Sequence, residues 1–358
     1  MTSATAATSS SVATHVLPAW GLLDDGEGRV PASHLAVAPL SGGLINDTFA
    51  VGRHFVLQRL HRIFAPTVND DIAALVPQLQ AAGVSVPSLV RTANGDSCVV
   101  VQTGDAELDG CWRMLSRLHG QTLHKLPSAK HARSAGRLVG SFHRALLPVQ
   151  HTFAFTRPGA HDTPLHMANL AAALAEHPHH RLTPQLAPLA HEIAARWASF
   201  GPIPQLPQRI VHGDLKVSNL LFHDDAAVSV LDLDTMAWGT LDVELGDALR
   251  SWCNRGAEDD AEPSYDAAIH AEALGGWLDS MGDVASEAER RSLARGALRI
   301  TLELSARFAA DTLRESYFGW DRTRYPAAGE HNLVRARNQL GLARDLERQL
   351  PRLEAALA

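Results

Sequence analysis

Residues 211–222 read VHGDLKVSNLLF, and residues 227–239 read AVSVLDLDTMAWG. In both, polar residues interrupt apolar runs. His212, Asp214, Lys216 and Asn219 stand between the ends of two short strand-like segments. Asp232 follows the apolar run Val228, Val230, Leu231, with Asp234 two residues later on the same face of a strand. Transfer of a phosphoryl group asks little covalent work of a protein. It needs a carboxylate to accept the proton of the attacking hydroxyl, an amide and a second carboxylate to hold a divalent ion, and cations to face the phosphates. His-x-Asp-x-Lys-x-x-Asn offers the first carboxylate, a cation and the amide on one loop, and Asp232 offers the second carboxylate on the strand that follows. Either stretch alone would pass for a hairpin with solvated turn residues; the two in this order point to a site.

Around this centre the periodicity changes along the chain. Ala36 to Val101 is strand-like (APLSGGLINDTFAV, RHFVLQRL and SCVVVQ), with a turn at Gly52 and one helical stretch in which Ile72, Leu75, Val76 and Leu79 share a face despite Pro77. CWRMLSRL reads as a further strand running into an extended connector. Beyond it SAGRLVGSFHRALL places Leu138, Val139, Phe142 and Leu146 on one helical face, and helical spacing recurs to the C-terminus apart from the two short strands of the motif. At 358 residues the chain is about twice the usual single-domain size. The pattern predicts an α+β fold of two lobes: a mobile tail over 1–20, a small β-rich nucleotide-binding lobe over 21–116, and a larger helical catalytic and substrate-binding lobe over 117–358.

Composition excludes several partners. Hydrophobic residues at 46% and charged residues at 20% describe a chain that folds. With Lys+Arg at 32, Asp+Glu at 39 and no basic block, a nucleic-acid backbone is not an expected partner. No run reaches the ~18 apolar residues of a membrane span, and the opening MTSATAATSSSVATH has neither the charged nor the apolar region of a signal peptide. Cys98, Cys111 and Cys253 form no metal-ligand spacing, as in a reducing cytoplasm. The 19 histidines include the cluster His177, His179, His180, but Pro178 breaks it and no HExxH exists, so no structural metal is expected.

VHGDLKVSNLLF followed by VLDLD resembles the signature of the aminoglycoside phosphotransferase and choline kinase superfamily, whose fold is protein-kinase-like. GGLINDTF, FVLQRL, GAHDT, VLDLDTMAWG, LGDALR, ITLELSARFAADTL, ESYF and HNLVRARNQLGL extend the resemblance, over about residues 36–345, to bacterial N-acetylhexosamine 1-kinases. The resemblance implies an ATP- and Mg²⁺-dependent enzyme acting on a sugar hydroxyl. It makes Asp214 the catalytic base, Lys216 a phosphate-facing cation, and Asn219 and Asp232 the Mg²⁺ ligands. Gly42, Gly43, Asn46 and Thr48 would form the phosphate-covering turn, and Gln58, Arg113 and Met114 would belong to the nucleotide site, the last two in a connector meeting the adenine. For the sugar the candidates are Asp234, Arg250, Trp252, Arg307 and Asp311; Glu303, Arg307 and Asp311 lie at i, i+4 and i+8 of one helix, a spacing that a salt-bridged surface stripe shares.

Two departures stand out. Gln58 occupies a position where much of the superfamily carries a Lys or Arg for the α/β-phosphates, and Glu244 replaces the usual Asp of a DFGD motif. Two rival readings remain. One is a phosphotransferase for another small alcohol such as an aminoglycoside, choline, methylthioribose or homoserine. The other, which Gln58 keeps open, is a nucleotide-binding pseudokinase. Oligomeric state is not encoded in these motifs.

Overall fold

A computed structural model describes residues 8–40 and 46–355. The chain divides into two compact units, one of Met1–Gly120 with Pro148–Thr156 and Ser229–Asp234, the other of Gln121–Leu147, Arg157–Val228 and Thr235–Ala358. The division thus falls four residues beyond the expected 116, and the chain returns twice to the first unit.

In the first unit, helix α1 (Ser9–His15) precedes the ribbon β1 (Leu22–Asp24) and β2 (Arg29–Pro31). The main antiparallel sheet contains β3 (Val37–Pro39), β4 (Asp47–Val51), β5 (Phe55–Arg59), β6 (Leu89–Val90), β7 (Val99–Val101) and β8 (Gly110–Ser116), in the order β3-β4-β5-β8-β6 with β7 also on β8. Gly52, at φ 55°, turns β4 into β5. Helix α2 (Val68–Ala81) buries Ile72, Leu75, Val76 and Leu79, while Pro77 faces outward. The expected mobile tail is corrected over its described part. Thr8 caps α1, and Val12, Val16, Leu17 and Trp20 are buried with Phe49, Leu57, Trp112 and Met114. Trp20 Nε1 donates to Val90 O at 2.8 Å, joining this segment to the sheet. The returning residues 148–156 are held by Asp71, whose carboxylate accepts from the Ala154 and Phe155 amides at 2.8 and 2.9 Å.

The second unit contains β9 (Gln121–Thr122), α3 (Ala129–Leu146), α4 (Thr163–Glu176), α5 (Thr183–Phe200), β10 (Arg209–Val211), β11 (Leu220–His223), β12 (Ala226–Val230), whose last two residues count with the first unit, and β13 (Ala237–Gly239). Then come α6 (Leu241–Trp252), α7 (Ala267–Met281), α8 (Glu287–Arg314) and α9 (Ala328–Ala355). The strands make a β9-β11-β12 sheet and an antiparallel β10–β13 pair. Helices dominate, and two pairs touch backbone to backbone. A Cβ on Gly136 of α3 would lie 1.9 Å from Ala273 O of α7, and one on Gly276 of α7 would lie 2.0 Å from Arg133 O. Likewise Gly246 of α6 faces Gly296 O, and a Cβ on Gly296 of α8 would lie 2.0 Å from Asp242 O. Long α8 starts from a capping box between Ser286 and Glu289. No helix among the described residues is long and apolar enough to cross a membrane.

Candidate active site

In the helical unit, the residues after β10 leave the strand through Gly213, at φ 79°, where a Cβ would meet Thr235 O at 2.5 Å. The loop then presents Asp214, with 29% of its side chain exposed. Lys216 Nζ approaches Asp214 Oδ2 at 2.6 Å, and Asn219 Nδ2 donates to Asp214 O at 2.7 Å and to Oδ2 at 3.2 Å. The donor end of the Asn219 amide is thereby turned to Asp214, which makes its oxygen the end offered to a cation. A hard oxygen donor of this kind suits Mg²⁺. Among the described residues no three His, Cys, Asp or Glu side chains gather into a metal cage.

What holds this loop is Glu244, in the first turn of α6. Its Oε1 accepts from the His212 amide at 2.7 Å and its Oε2 from the Gly213 amide at 2.9 Å. Behind it, Trp277 Nε1 donates to His143 Nδ1 at 3.0 Å, which makes Nε2 the protonated nitrogen facing Glu244 Oε1 at 3.1 Å. Complete burial opposes ionisation of Glu244, but the hydrogen bond from His143, with His212 and the Gly213 amide, outweighs it and holds the carboxyl below its ordinary range. The role left open for Glu244 by the sequence is therefore that of backbone anchor.

Beside Asp214 runs a band of paired charges. Arg250, whose guanidinium also feels Asp214, donates to Asp247 Oδ1 from Nε and Nη2 at 3.3 and 3.0 Å and to Glu258 at 3.2 Å. Burial at Asp247 is outweighed by Arg250, His161 and Arg307, so its pKa falls. Glu303, 1% exposed, lies 3.1 Å from His161 Nδ1, accepts from Thr163 Oγ1 at 2.7 Å, and is 3.8 Å from Arg307. Burial opposes the imidazolium of His161, yet Glu303 and Asp247 raise its pKa overall. Arg307 lies over the rings of Tyr317 and Phe318 at 5.9 and 5.7 Å. Asp247 and Tyr317 were not among the expected site residues, and Glu303 entered only through its helical spacing to Arg307; the ELGD and ESYF motifs were the available signals.

In the β-rich unit, Asp232 has the left-handed φ of 61°. Asp234, 1% exposed, is not turned to a sugar: Arg113 holds both its oxygens and Asn46 Nδ2 donates to Oδ2 at 3.0 Å. Arg113 and Met114 are likewise corrected. Their segment is strand β8, hydrogen-bonded to β5 on one side and β6 and β7 on the other, with the Met114 side chain in the core and the Arg113 guanidinium inside the unit. Gln58 pairs with Thr48 across β5 and β4, and its amide nitrogen reaches Thr48 Oγ1 at 3.4 Å. Arg59 points the other way, to Asp47 at 2.8 Å. Gly42 and Gly43 lie outside the described residues.

Two sugar candidates prove structural. Trp252, 4% exposed, donates from Nε1 to Leu215 O at 2.7 Å and so supports the Asp214 loop from below. Asp311, 4% exposed, accepts from the amides of Ser316, Tyr317 and Phe318 at 2.9–3.0 Å and from Asn332 Nδ2 at 3.0 Å, shaping the turn that carries the two aromatic rings.

Comparison with known proteins bears on the family and the fold. The homoserine kinase of Pseudomonas aeruginosa (strain UCBPP-PA14) is 28% identical over 219 residues, 60% of this chain and 62% of that protein. The chain thus spans about three fifths of the length of that relative. The homoserine kinase of Rhodopseudomonas palustris (strain HaA2) is 26% identical over 264 residues, 68% of this chain and 69% of that one. Among solved structures, the microcompartment-associated aminopropanol kinase superimposes with a TM-score of 0.60 at 18% identity, covering 98% of both chains. An aminoglycoside phosphotransferase from Alicyclobacillus acidocaldarius subsp. acidocaldarius DSM 446 does so with 0.58 at 15%, covering 88% of this chain and 92% of that one. The fold is protein-kinase-like. A profile of the phosphotransferase enzyme family matches residues 36–278, more than half of the chain, and the chain belongs to this family.

Proposed function

We propose that this phosphotransferase moves the γ-phosphoryl group of ATP to a neutral sugar, at the anomeric 1-hydroxyl of an N-acetylhexosamine or a related hexose. The observation that carries the acceptor class is the charge balance beside Asp214. Asp247, Glu258 and Glu303 are each matched by Arg250, Arg307 or His161. A cationic acceptor needs carboxylates or ring faces to spare. A neutral polyol needs fixed donors and acceptors beside an aromatic wall, which Tyr317 and Phe318 can supply.

In this reading Asp214 orients the acceptor hydroxyl and takes its proton, Lys216 faces the phosphates, and Asn219 and Asp232 are the Mg²⁺ ligands. Asn46, Thr48, Gly42 and Gly43 serve the nucleotide phosphates. Arg250 and Arg307 stand on the acceptor side. Mg²⁺, when bound, neutralises phosphate charge; the protein's part is position and proton transfer. The second reading, a zwitterionic amino alcohol such as homoserine, is favoured by the names of the relatives and by acids and cations lying side by side. A pseudokinase would have no use for Asp214, Asn219 and Asp232 together.

A coupled ADP-release assay across N-acetylglucosamine, N-acetylgalactosamine, galactose, homoserine, 1-amino-2-propanol, choline and kanamycin tests the reading. Turnover with a hexose, with the phosphate placed on C1 by NMR, is the expected result. Turnover confined to homoserine or an amine overturns it.

A further inference from the structure

Gln58 is the feature of the nucleotide half that the proposed function leaves unused. The register of the sheet sets Arg113 of β8 directly across from it. Arg113 is 1% exposed, and each of its N–H groups has a partner: Nε and Nη2 donate to Gln58 Oε1 at 3.0 and 2.7 Å, Nη1 and Nη2 to Asp234 Oδ1 and Oδ2 at 2.5 and 2.9 Å, and Nη1 to Asn69 Oδ1 of α2 at 3.4 Å. Through Asp234 the connection continues to Asn46 Nδ2, and Asn46 Oδ1 accepts from the His61 amide at 2.9 Å. One cation therefore ties together strand β5, helix α2, the single helical turn Leu233–Thr235 and Asn46, which precedes β4.

We propose that Arg113 is the positioning cation of the nucleotide half-site, supplied by the neighbouring strand where residue 58 is a glutamine, and that it acts by fixing Asp234, and so the aim of Asp232, together with Asn46. The planar guanidinium suits this better than an ammonium would, because it bonds a carboxylate through two parallel N–H groups and still has donors for two more elements. Partners that orient a metal ligand commonly change metal affinity or activity by about 10–100-fold when removed. Arg113 touches neither substrate nor metal in this scheme, so its effect should appear in the Mg²⁺ dependence of nucleotide binding and not in the acceptor KM.

The inference rests on Asp232 being a Mg²⁺ ligand, and the test is chosen to need no acceptor. Mg·ADP binding is measured calorimetrically at a series of Mg²⁺ concentrations on the full chain, with the melting temperature followed in parallel. Loss of Arg113 alone would leave Asp234 buried without its counter-charge. The variants are therefore the charge-neutral pair R113M with D234N, and the conservative R113K, which keeps a buried cation and loses the fork.

Both should melt within a few degrees of the wild type and need about ten to a hundred times more Mg²⁺ for half-saturation with ADP. Adding Q58K to the neutral pair returns a cation to strand β5 and should recover part of that loss. Wild-type Mg²⁺ dependence in a folded R113K or in the folded neutral pair overturns the inference and leaves the proposed function standing. A wild-type chain that binds no Mg·ADP overturns both.

Discussion

Glu244 and His143 meet 3.1 Å apart with each side chain 1% exposed, and the carboxylate spends its remaining capacity on the backbone of the loop that carries Asp214. The acid that replaces the usual Asp of the DFGD motif is thus a clamp on two amides. Its replacement by leucine strands the His212 and Gly213 N–H groups in the interior, which costs about 1–3 kcal/mol for each. We expect E244L to lose about 2–5 kcal/mol in a urea titration and most of its turnover, with E244Q intermediate. Unchanged stability in E244L would refute the clamp.

Asp214 stands partly exposed between Lys216 and Asn219 and is the proton acceptor of the proposed reaction. D214N should lower kcat by about 10²–10⁴-fold while Mg·ADP still binds, because the change removes a base and keeps the shape. Full turnover in D214N, measured by ADP release, would end that assignment.

A pH dependence follows from His161. Burial works against its charge, but Glu303 and Asp247 more than compensate, so the folded pKa lies above the ordinary value of 6.5. A group raised on folding contributes fully below its unfolded pKa, and the contribution fades as pH climbs through the folded one. Stability in a urea titration should therefore be greatest on the acid side and fall as pH rises through that range, and H161Q should flatten the curve. An identical pH dependence in H161Q would exclude the His161–Glu303 pair as its source.

The two thiols of the β-rich unit are unequal. A hydrogen bond from Cys111 outweighs burial and, with Ser97 and Asn69, brings Cys98 to about 7, while the same bond and burial push Cys111 up. Cys253 is pushed up by burial, with the charge of Asp266 adding to it and the Tyr265 hydrogen bond opposing it. Iodoacetamide at pH 7.5 should label Cys98 first, with a rate whose pH midpoint is near 7 and moves upward in C111A. Peptide mapping that finds Cys111 or Cys253 modified first would contradict this.

The clustering of Asp214, Lys216 and Asn219 was legible because the stretch His212 to Asn219 spans only eight residues, whose spacing alone sets their relation. The two-lobe division was legible from the change of hydrophobic period. Asp234 was not, since its partner Arg113 lies 121 residues away, and a strand pattern says which face a side chain takes but not what waits there. Trp252 and Asp311 were misread because helical spacing gives a face and not a partner: one bonds Leu215 O and the other the amides of Ser316 to Phe318. The segment up to Trp20 was misread because its Ser, Thr and Ala residues look like a solvated tail, although Val12, Val16, Leu17 and Trp20 carry it into the core.

The glycine contacts between α3 and α7 and between α6 and α8 bear on how this enzyme could be improved. Replacing a helical glycine by alanine is a standard route to thermostability, worth about 0.4–1 kcal/mol where the backbone allows it. At Gly136, Gly276, Gly246 and Gly296 the new methyl would meet a neighbouring carbonyl oxygen at 1.9–2.5 Å, so each exchange would prise two helices apart. Gly275, one residue away on α7, meets only the Nη1 end of Arg133, a side chain that can move aside. An engineer guided by helix propensity would treat Gly275 and Gly276 alike, yet only Gly275 offers a gain, and the seams that hold His143, Trp277 and Glu244 in line are closed to it.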